Sequence, residues 1–261
     1  MSAALDSLID GLIDYAGMFP PAGLSLEDAA RNYADYRRGP YARMLGKFVV
    51  PAERLGEVDP AWRCSAIGIP SQPVEACEVR VARAVDAGAA LALIAPRVTA
   101  YFELPLDEDP APLASGRGRA KARTGGLTPD VFPAPADLAR FLSRCAAARV
   151  PFKATAGLHH PLRGLRRCTY QPDSPTALMH GFVNVFLAAA LLWSGGSETA
   201  AVATLEEQSP KAFRFDESAA VWHGHRMTTA QIQEVRAQFA ISFGSCSFEE
   251  PIHDLQQLGW L

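Results

Sequence analysis

The stretch Pro151-Phe152-Lys153-Ala154-Thr155-Ala156-Gly157-Leu158-His159-His160-Pro161 shapes the prediction for the whole chain. It begins as a short apolar strand with one lysine in its middle, and its glycine and proline are typical of a strand that gives way to a loop. The stretch Lys121-Ala122-Arg123-Thr124-Gly125-Gly126 has a similar arrangement one element earlier. Lysine is rarely buried unless it is paired or used chemically. Two lysines on successive strands, each shortly before glycine, therefore indicate a functional site.

The segments around these two strands alternate between strand-like and helix-like patterns. Predicted helices lie at 26–38, 53–58, 82–96, 136–149, 178–193 and 250–258. Predicted strands lie at 12–15, 46–51, 64–70, 74–81, 98–106, 120–124, from 151 onward and at 239–246.

Eight strands that alternate with helices predict an α/β fold of the (β/α)8 TIM barrel type, because eight parallel strands close a barrel. We expect one domain over residues 1–261, with a small inserted β-hairpin segment at about 198–229, before the last strand. An open, doubly wound sheet is the main alternative. No glycine-rich nucleotide fingerprint follows the first strand, which disfavours that alternative.

The composition narrows the possible partners. A formal charge of −3 and a pI near 6.1 give no electrostatic signature of binding to nucleic acid or to an anionic membrane. No signal peptide is recognisable, and the five cysteines are scattered and lack CxxC spacing, which favours reduced thiols in the cytoplasm. We expect a small-molecule substrate, no cofactor, no membrane or nucleic-acid partner, and possible homo-oligomers.

Charged side chains share one face of each central predicted strand, since residues two apart point the same way. The apolar residues between them suit packing against outer helices. The polar face is therefore expected to point into the barrel, where active sites form at the carboxyl ends of the strands. An ion-pair network that merely fills the barrel is the structural alternative. The inward-facing set is Glu78, Arg80, Glu103, Lys121, Arg123, Lys153 and Thr155.

Paired lysines suit imine chemistry. A lysine must be neutral to attack a carbonyl group, and lowering its pKa from about 10.4 to about 7 requires about 4 kcal/mol of preference for the neutral form. Desolvation and a second nearby cation can supply that preference. Glu78 or Glu103 can then carry protons during imine formation and carbon–carbon cleavage, provided that neither carboxylate stabilises the ammonium form too strongly.

Three motifs resemble the last three strand motifs of deoxyribose-phosphate aldolase and its class I aldolase relatives, which are Schiff-base TIM barrels. They are Lys121–Gly126, Phe152–Gly157 and Phe243–Ser247. The resemblance implies that Lys121 forms the Schiff base and that Lys153 lowers its pKa. It also implies that Glu78 relays protons.

The same resemblance places Gly157, Gly244 and Ser245 in loops that would hold a phosphate group. The chain departs from the family at Arg123, which stands where the family has a small hydroxyl residue. A guanidinium group at that position can clamp a substrate carboxylate with two hydrogen bonds.

His159 and His160 follow the seventh strand, at the end of a barrel where chemistry takes place. They are candidates for acid–base work, or for a metal site completed by Glu249 or Glu250. One of them can equally cap a helix while the other packs. Cys246, at the end of the eighth strand, is interpreted as a small buried thiol, with a nucleophile as the alternative.

These observations support three hypotheses of different classes. The first is an aldolase-like lyase that acts on a small carbonyl or carboxylate compound through a Lys121 imine. The second is a metal-assisted hydrolase or lyase that uses His159, His160 and a carboxylate. The third is a barrel that binds or scaffolds without catalysis.

Overall fold

The fold was analysed in a computed structural model, in which the structure of residues 2–261 is described. Seven parallel strands follow one another around a barrel. Their bounds are β1 Ile13–Tyr15, β2 Leu45–Pro51, β3 Cys64–Ile67, β4 Ala76–Arg80, β5 Thr99–Leu104, β6 Gly118–Arg123 and β7 Phe152–Thr155. Each predicted strand up to the seventh therefore has a counterpart in the structure.

A long excursion separates β7 from the last barrel strand. It contains an antiparallel pair, β8 (Gly164–Arg167) with β9 (Thr176–Met179), and a three-stranded antiparallel sheet. The strands of that sheet are β10 Phe213–Phe215, β11 Ala219–Trp222 and β12 His225–Thr228. The predicted inserted hairpin corresponds to β10 and β11, to which the structure adds β12. The β8–β9 hairpin is an addition that was not predicted.

The last strand, β13 (Ala240–Ser245), closes the barrel because it pairs in parallel with both β7 and β1. The strand order around the barrel is β1-β13-β7-β6-β5-β4-β3-β2. The α/β barrel prediction is confirmed, and the open doubly wound alternative is wrong because the sheet has no free edge.

Eight α-helices surround and extend the barrel in the described part of the chain. They are α1 Ala3–Ile9, α2 Leu26–Tyr36, α3 Ala87–Leu93, α4 Pro135–Ala147, α5 Phe182–Trp193, α6 Glu198–Glu206, α7 Thr229–Gln238 and α8 Glu249–Gln257. The segment predicted as a helix at 53–58 is a 3-10 helix, Ala52–Glu57. The predicted helix at 178–193 starts later, at Phe182, because Leu178 and Met179 belong to β9.

The strand residues fall into two sets, a charged set inside the barrel and an apolar set that packs between the strands and the surrounding helices. Alternate residues of the strands, such as Phe102, Ala122 and Phe152, are buried in the apolar core. Helix α5 lies almost wholly inside that core, since every one of its residues up to Leu192 is buried. Across residues 2–261, no helix has both the length and the apolar character needed to cross a membrane.

Candidate active site

The strand register gathers the charged residues. Arg80, Glu103, Lys121 and Lys153 are successive Cα partners across β4, β5, β6 and β7. Because side chains alternate along a strand, a row of this kind presents its members to the same side of the sheet. Glu78 lies two residues before Arg80 and reaches the same cluster from β4.

Lys153 is the innermost cation of this cluster, with its side chain 1% exposed. Its Nζ lies 2.7 Å from Asp14 Oδ2 and 2.6 Å from Glu78 Oε1. Burial alone would lower the pKa of Lys153, but the two carboxylates outweigh burial and raise the pKa above its usual range. Lys153 is therefore a permanent cation over the physiological pH range.

Asp14, on β1, is a member of the cluster that was not among the predicted site residues. Its Oδ2 also accepts a hydrogen bond of 2.8 Å from the Ser242 hydroxyl, and its Oδ1 accepts one of 2.7 Å from the Lys47 backbone N–H. Burial would raise the pKa of Asp14, but Lys153 and the hydrogen bonds hold it below its usual range. The available sequence signal was an acidic residue inside a short apolar strand.

Lys121 is the second amine, and it contacts two carboxylates. Its Nζ lies 2.8 Å from Glu78 Oε2 and 2.9 Å from Glu103 Oε2. Arg123 approaches the other oxygen of Glu103 at 3.6 Å. The Glu103 carboxylate thus links the Lys121 amine to a guanidinium group that is largely exposed.

Glu78 stands between the two amines, with one carboxylate oxygen on each. Oε1 also accepts a hydrogen bond of 2.8 Å from the Ser65 hydroxyl on β3. Burial opposes ionisation, yet Lys153 and Lys121 hold the pKa of Glu78 well below its usual range. The sequence predicted that Lys153 would act on Lys121 directly, whereas in the structure a shared carboxylate lies between the two ammonium groups.

A cavity of about 840 Å³ opens beside the charged cluster of the barrel. Its walls include the loop after β1, with Phe19, Pro20 and Pro21, and the β8–β9 hairpin. Ten of the predicted site residues border it: Glu78, Arg80, Glu103, Lys121, Arg123, Thr155, Gly157, His159, His160 and Gly244. Lys153 does not border it, so Lys121 is the amine of the pair that a molecule in the cavity can reach.

Two predicted substrate-binding residues lie outside the cavity. Ser245 is buried in β13, where its Oγ accepts the backbone N–H of Ser247. Glu249 is exposed at the start of α8, and the neighbouring Glu250 is the residue that borders the cavity. The strand-to-helix turn therefore presents the second of the two glutamates to the site.

Arginines at the cavity provide positive charge for a ligand. The guanidinium groups of Arg80 and Arg166 make no hydrogen bond or ion pair with any other side chain or backbone group of residues 2–261, and both residues are exposed. Arg167 also borders the cavity, although it is bound to the carbonyl oxygens of Gln171 and Pro172. An anionic group that enters the cavity can therefore find guanidinium donors whose hydrogen-bonding capacity is unused.

His159 and His160 bind different carboxylates. His159 Nδ1 lies 2.9 Å from Glu250 Oε2, and His160 Nδ1 lies 2.6 Å from Asp254 Oδ2. Within residues 2–261, no group of three or more His, Cys, Asp or Glu side chains is arranged to hold a metal ion. The geometry thus offers two separate histidine–carboxylate pairs.

His159 has a second partner on its other ring nitrogen. Its Nε2 lies 3.9 Å from the sulfur of Cys246, and the Tyr170 hydroxyl lies 3.6 Å from the same sulfur. Burial would lower the pKa of His159, but Cys246 and Glu250 outweigh it and raise the pKa to about 9. The sequence interpretation of Cys246 as a buried thiol omitted this contact, which arises because β13 and β7 are neighbours in the barrel.

Comparisons with protein-family models, with curated proteins and with solved structures find no match for this chain.

The buried ion cluster leads to a prediction about acid stability. Asp14 and Glu78 have lowered pKa values in the folded state. Their contribution to the free energy of unfolding is therefore fully present above the pKa of an unfolded carboxyl group, about 4, and is lost as the pH falls through their pKa values in the folded state. We expect the urea concentration at the midpoint of unfolding to fall steeply as the pH is lowered from about 5 to about 2. A midpoint that stays constant over this range would contradict the ionised state of the cluster.

Proposed function

We propose that this protein is an aldolase-type lyase that acts on a small carbonyl compound through an imine on Lys121. The observation that carries the proposal is the position of the Lys121 amine. It borders a cavity large enough for a small metabolite, and it contacts two carboxylates that can take and return a proton. Lys153 is sealed away from the cavity and serves a different purpose.

The two carboxylates that contact the Lys121 amine can also pair with a protonated imine, because the iminium nitrogen carries a positive charge at the same position. The Lys121 ammonium group must first lose a proton to give the neutral amine that attacks the carbonyl carbon. Glu103 is the better candidate to accept that proton, because Glu78 already has two cations and a hydroxyl group around it.

The proposed reaction consists of imine formation, carbon–carbon cleavage and hydrolysis. The neutral Lys121 amine forms a bond to the carbonyl carbon, and the carbonyl oxygen takes up a proton to give a carbinolamine. Loss of water, with a proton supplied by a carboxyl group, gives the iminium ion. In a β-hydroxy substrate, a carboxylate then takes the proton of the β-hydroxyl group, the bond between the α- and β-carbons breaks, and its electron pair moves to the iminium ion. The products are an enamine on Lys121 and a released carbonyl compound. Protonation of the enamine and hydrolysis free Lys121.

Lys153 and Asp14 act as positioning groups in this proposal. Their ion pair fixes one oxygen of Glu78 and keeps Glu78 ionised, which leaves the other oxygen directed at Lys121. A preorganised charge of this kind does not have to reorient during the reaction.

The substrate is expected to carry an anionic group. Arg80 and Arg166 border the cavity with unused guanidinium donors, and Arg123 is only loosely paired with Glu103. Arginine forms paired hydrogen bonds to carboxylate or phosphate oxygens. A small aldehyde or ketone with a carboxylate or phosphate group can place its carbonyl group at Lys121 and its anionic group at the arginines.

Reductive trapping tests the proposal. The chain has four lysines, Lys47, Lys121, Lys153 and Lys211, so peptide mapping can assign an adduct without ambiguity. Borohydride in the presence of pyruvate, acetaldehyde or glyceraldehyde phosphate should leave a stable secondary amine on Lys121. The matched control is Lys47→Met, which removes another strand lysine, paired with Glu75, and should leave trapping unchanged.

Two results would count against the imine. Adducts spread over exposed lysines in proportion to their accessibility would indicate nonspecific reduction. The absence of an adduct with a broad panel of aldehydes and keto acids would favour a non-catalytic barrel.

A further inference from the structure

A chain of three side chains meets at the cavity without taking part in the imine chemistry. Cys246 follows β13, His159 follows β7 and Glu250 lies in the first turn of α8. The distances are 3.9 Å from Cys246 Sγ to His159 Nε2 and 2.9 Å from His159 Nδ1 to Glu250 Oε2. A nucleophile, a base and a group that orients the base are the parts of a nucleophilic catalytic triad.

The sulfur has further polar neighbours. The Tyr170 hydroxyl lies 3.6 Å from it, and the backbone N–H of Ala22 donates to it from the loop after β1. Burial would raise the pKa of Cys246, but His159, Tyr170 and Ala22 together lower it. Cys64 and Cys77 have no hydrogen-bonded polar neighbours of this kind among residues 2–261, and burial raises the pKa of each to about 11.

The same heavy-atom arrangement suits both protonation states. In the neutral state, the thiol donates to His159 Nε2 while Nδ1–H donates to Glu250. In the ionic state, the imidazolium ring donates to both the thiolate and the carboxylate. The proton can thus move between sulfur and nitrogen once the 3.9 Å separation of Cys246 Sγ and His159 Nε2 shortens to a normal hydrogen-bond distance.

We propose that Cys246, His159 and Glu250 form a second reactive centre, in which the Cys246 thiolate attacks the carbonyl carbon of small anionic acyl compounds such as esters or acyl phosphates. All three side chains border the same cavity as Arg80 and Arg166. Those guanidinium groups are the reason for expecting an anionic acyl compound.

The bonds and protons of the acyl transfer are all supplied by the substrate, water and these side chains. The sulfur forms a bond to the acyl carbon, the bond from that carbon to the leaving oxygen breaks, and the leaving group takes the proton held by His159. Water, deprotonated by His159, then attacks the thioester. The products are the free acid and the regenerated thiolate, and no oxidant or reductant takes part.

The test uses p-nitrophenyl acetate with the full-length protein at pH 7. We expect a stoichiometric burst of nitrophenolate and an acetyl group mapped to Cys246. His159→Gln should slow the acylation at least tenfold, and Cys246→Ser should abolish the burst. The matched control is Cys168→Ser, because Cys168 borders the same cavity but its sulfur makes no hydrogen bond within residues 2–261.

Two outcomes would overturn the proposal: no acetyl group on Cys246 in the wild-type protein, or acylation of His159→Gln at the wild-type rate. The peptide map of the wild-type protein decides the matter even where the serine variant fails to fold. Since acetylation is read at Cys246 without a reductant, this result is independent of trapping at Lys121.

Discussion

Replacement of Lys121 by methionine should reduce deuterium exchange at the carbon next to the carbonyl group of a bound aldehyde or keto acid by at least about 10⁴-fold, or about 5.5 kcal/mol of activation free energy. An iminium ion acidifies that carbon strongly, and methionine removes the amine while keeping a similar length. Proton NMR in deuterated buffer follows the exchange without knowledge of the natural substrate.

The control for this loss is Lys47→Met, which removes a lysine that pairs with Glu75 and does not border the cavity. We expect its exchange rate to equal that of the wild-type protein. If Lys121→Met instead retained most of the exchange, then the carboxylates or His159 would be acting as simple bases and the imine would have no part in the reaction.

The second large effect concerns stability. Lys153→Met should lower the free energy of unfolding at pH 7 by about 3–5 kcal/mol, which is the usual cost of removing one partner from a buried ion pair. Asp14 and Glu78 are 1% and 4% exposed, so they would be left as buried anions that lack their main cation. Urea unfolding followed by circular dichroism measures the change.

The pH dependence of this variant provides a sharper check. Without the Lys153 ammonium group, we expect burial to raise the pKa of Asp14, whereas Glu78 keeps its ion pair with Lys121. Stability should then increase as the pH falls from 7 towards the raised pKa of Asp14, which is the opposite sign to the wild-type protein. If Lys153→Met lowers the free energy of unfolding at pH 7 by less than about 1 kcal/mol, as is typical of a surface ion pair, then Lys153 is not the counterion of the cluster.

The barrel strands were predictable because each is a short segment, either apolar or alternating between apolar and charged residues, that is bounded by turn residues. The β8–β9 hairpin was not, because its burial pattern is weak. Leu165 and Leu178 are exposed, and the hairpin packs mainly through Cys168, Ala177 and Met179 against Phe132. A small satellite cluster of this kind leaves little periodicity in the sequence.

The charged row on β4 to β7 was predictable from alternation, because adjacent parallel strands are also consecutive in the chain. Asp14 was not, since its partner Lys153 lies 139 residues away and the two strands come together only on either side of β13. The Cys246–His159 contact has the same origin. Side-chain contacts that form only when the barrel closes cannot be predicted from the pattern of each strand taken separately.

The ion cluster also bears on how the barrel assembles. The strands up to β4 supply the anions Asp14 and Glu78, whereas β6 and β7 supply both lysines. Lys153 meets Asp14 and Glu78 only when β7 joins the earlier strands, so an intermediate that lacks β7 must keep these two carboxylates hydrated. We therefore expect desolvation of these charges to coincide with closure of the barrel.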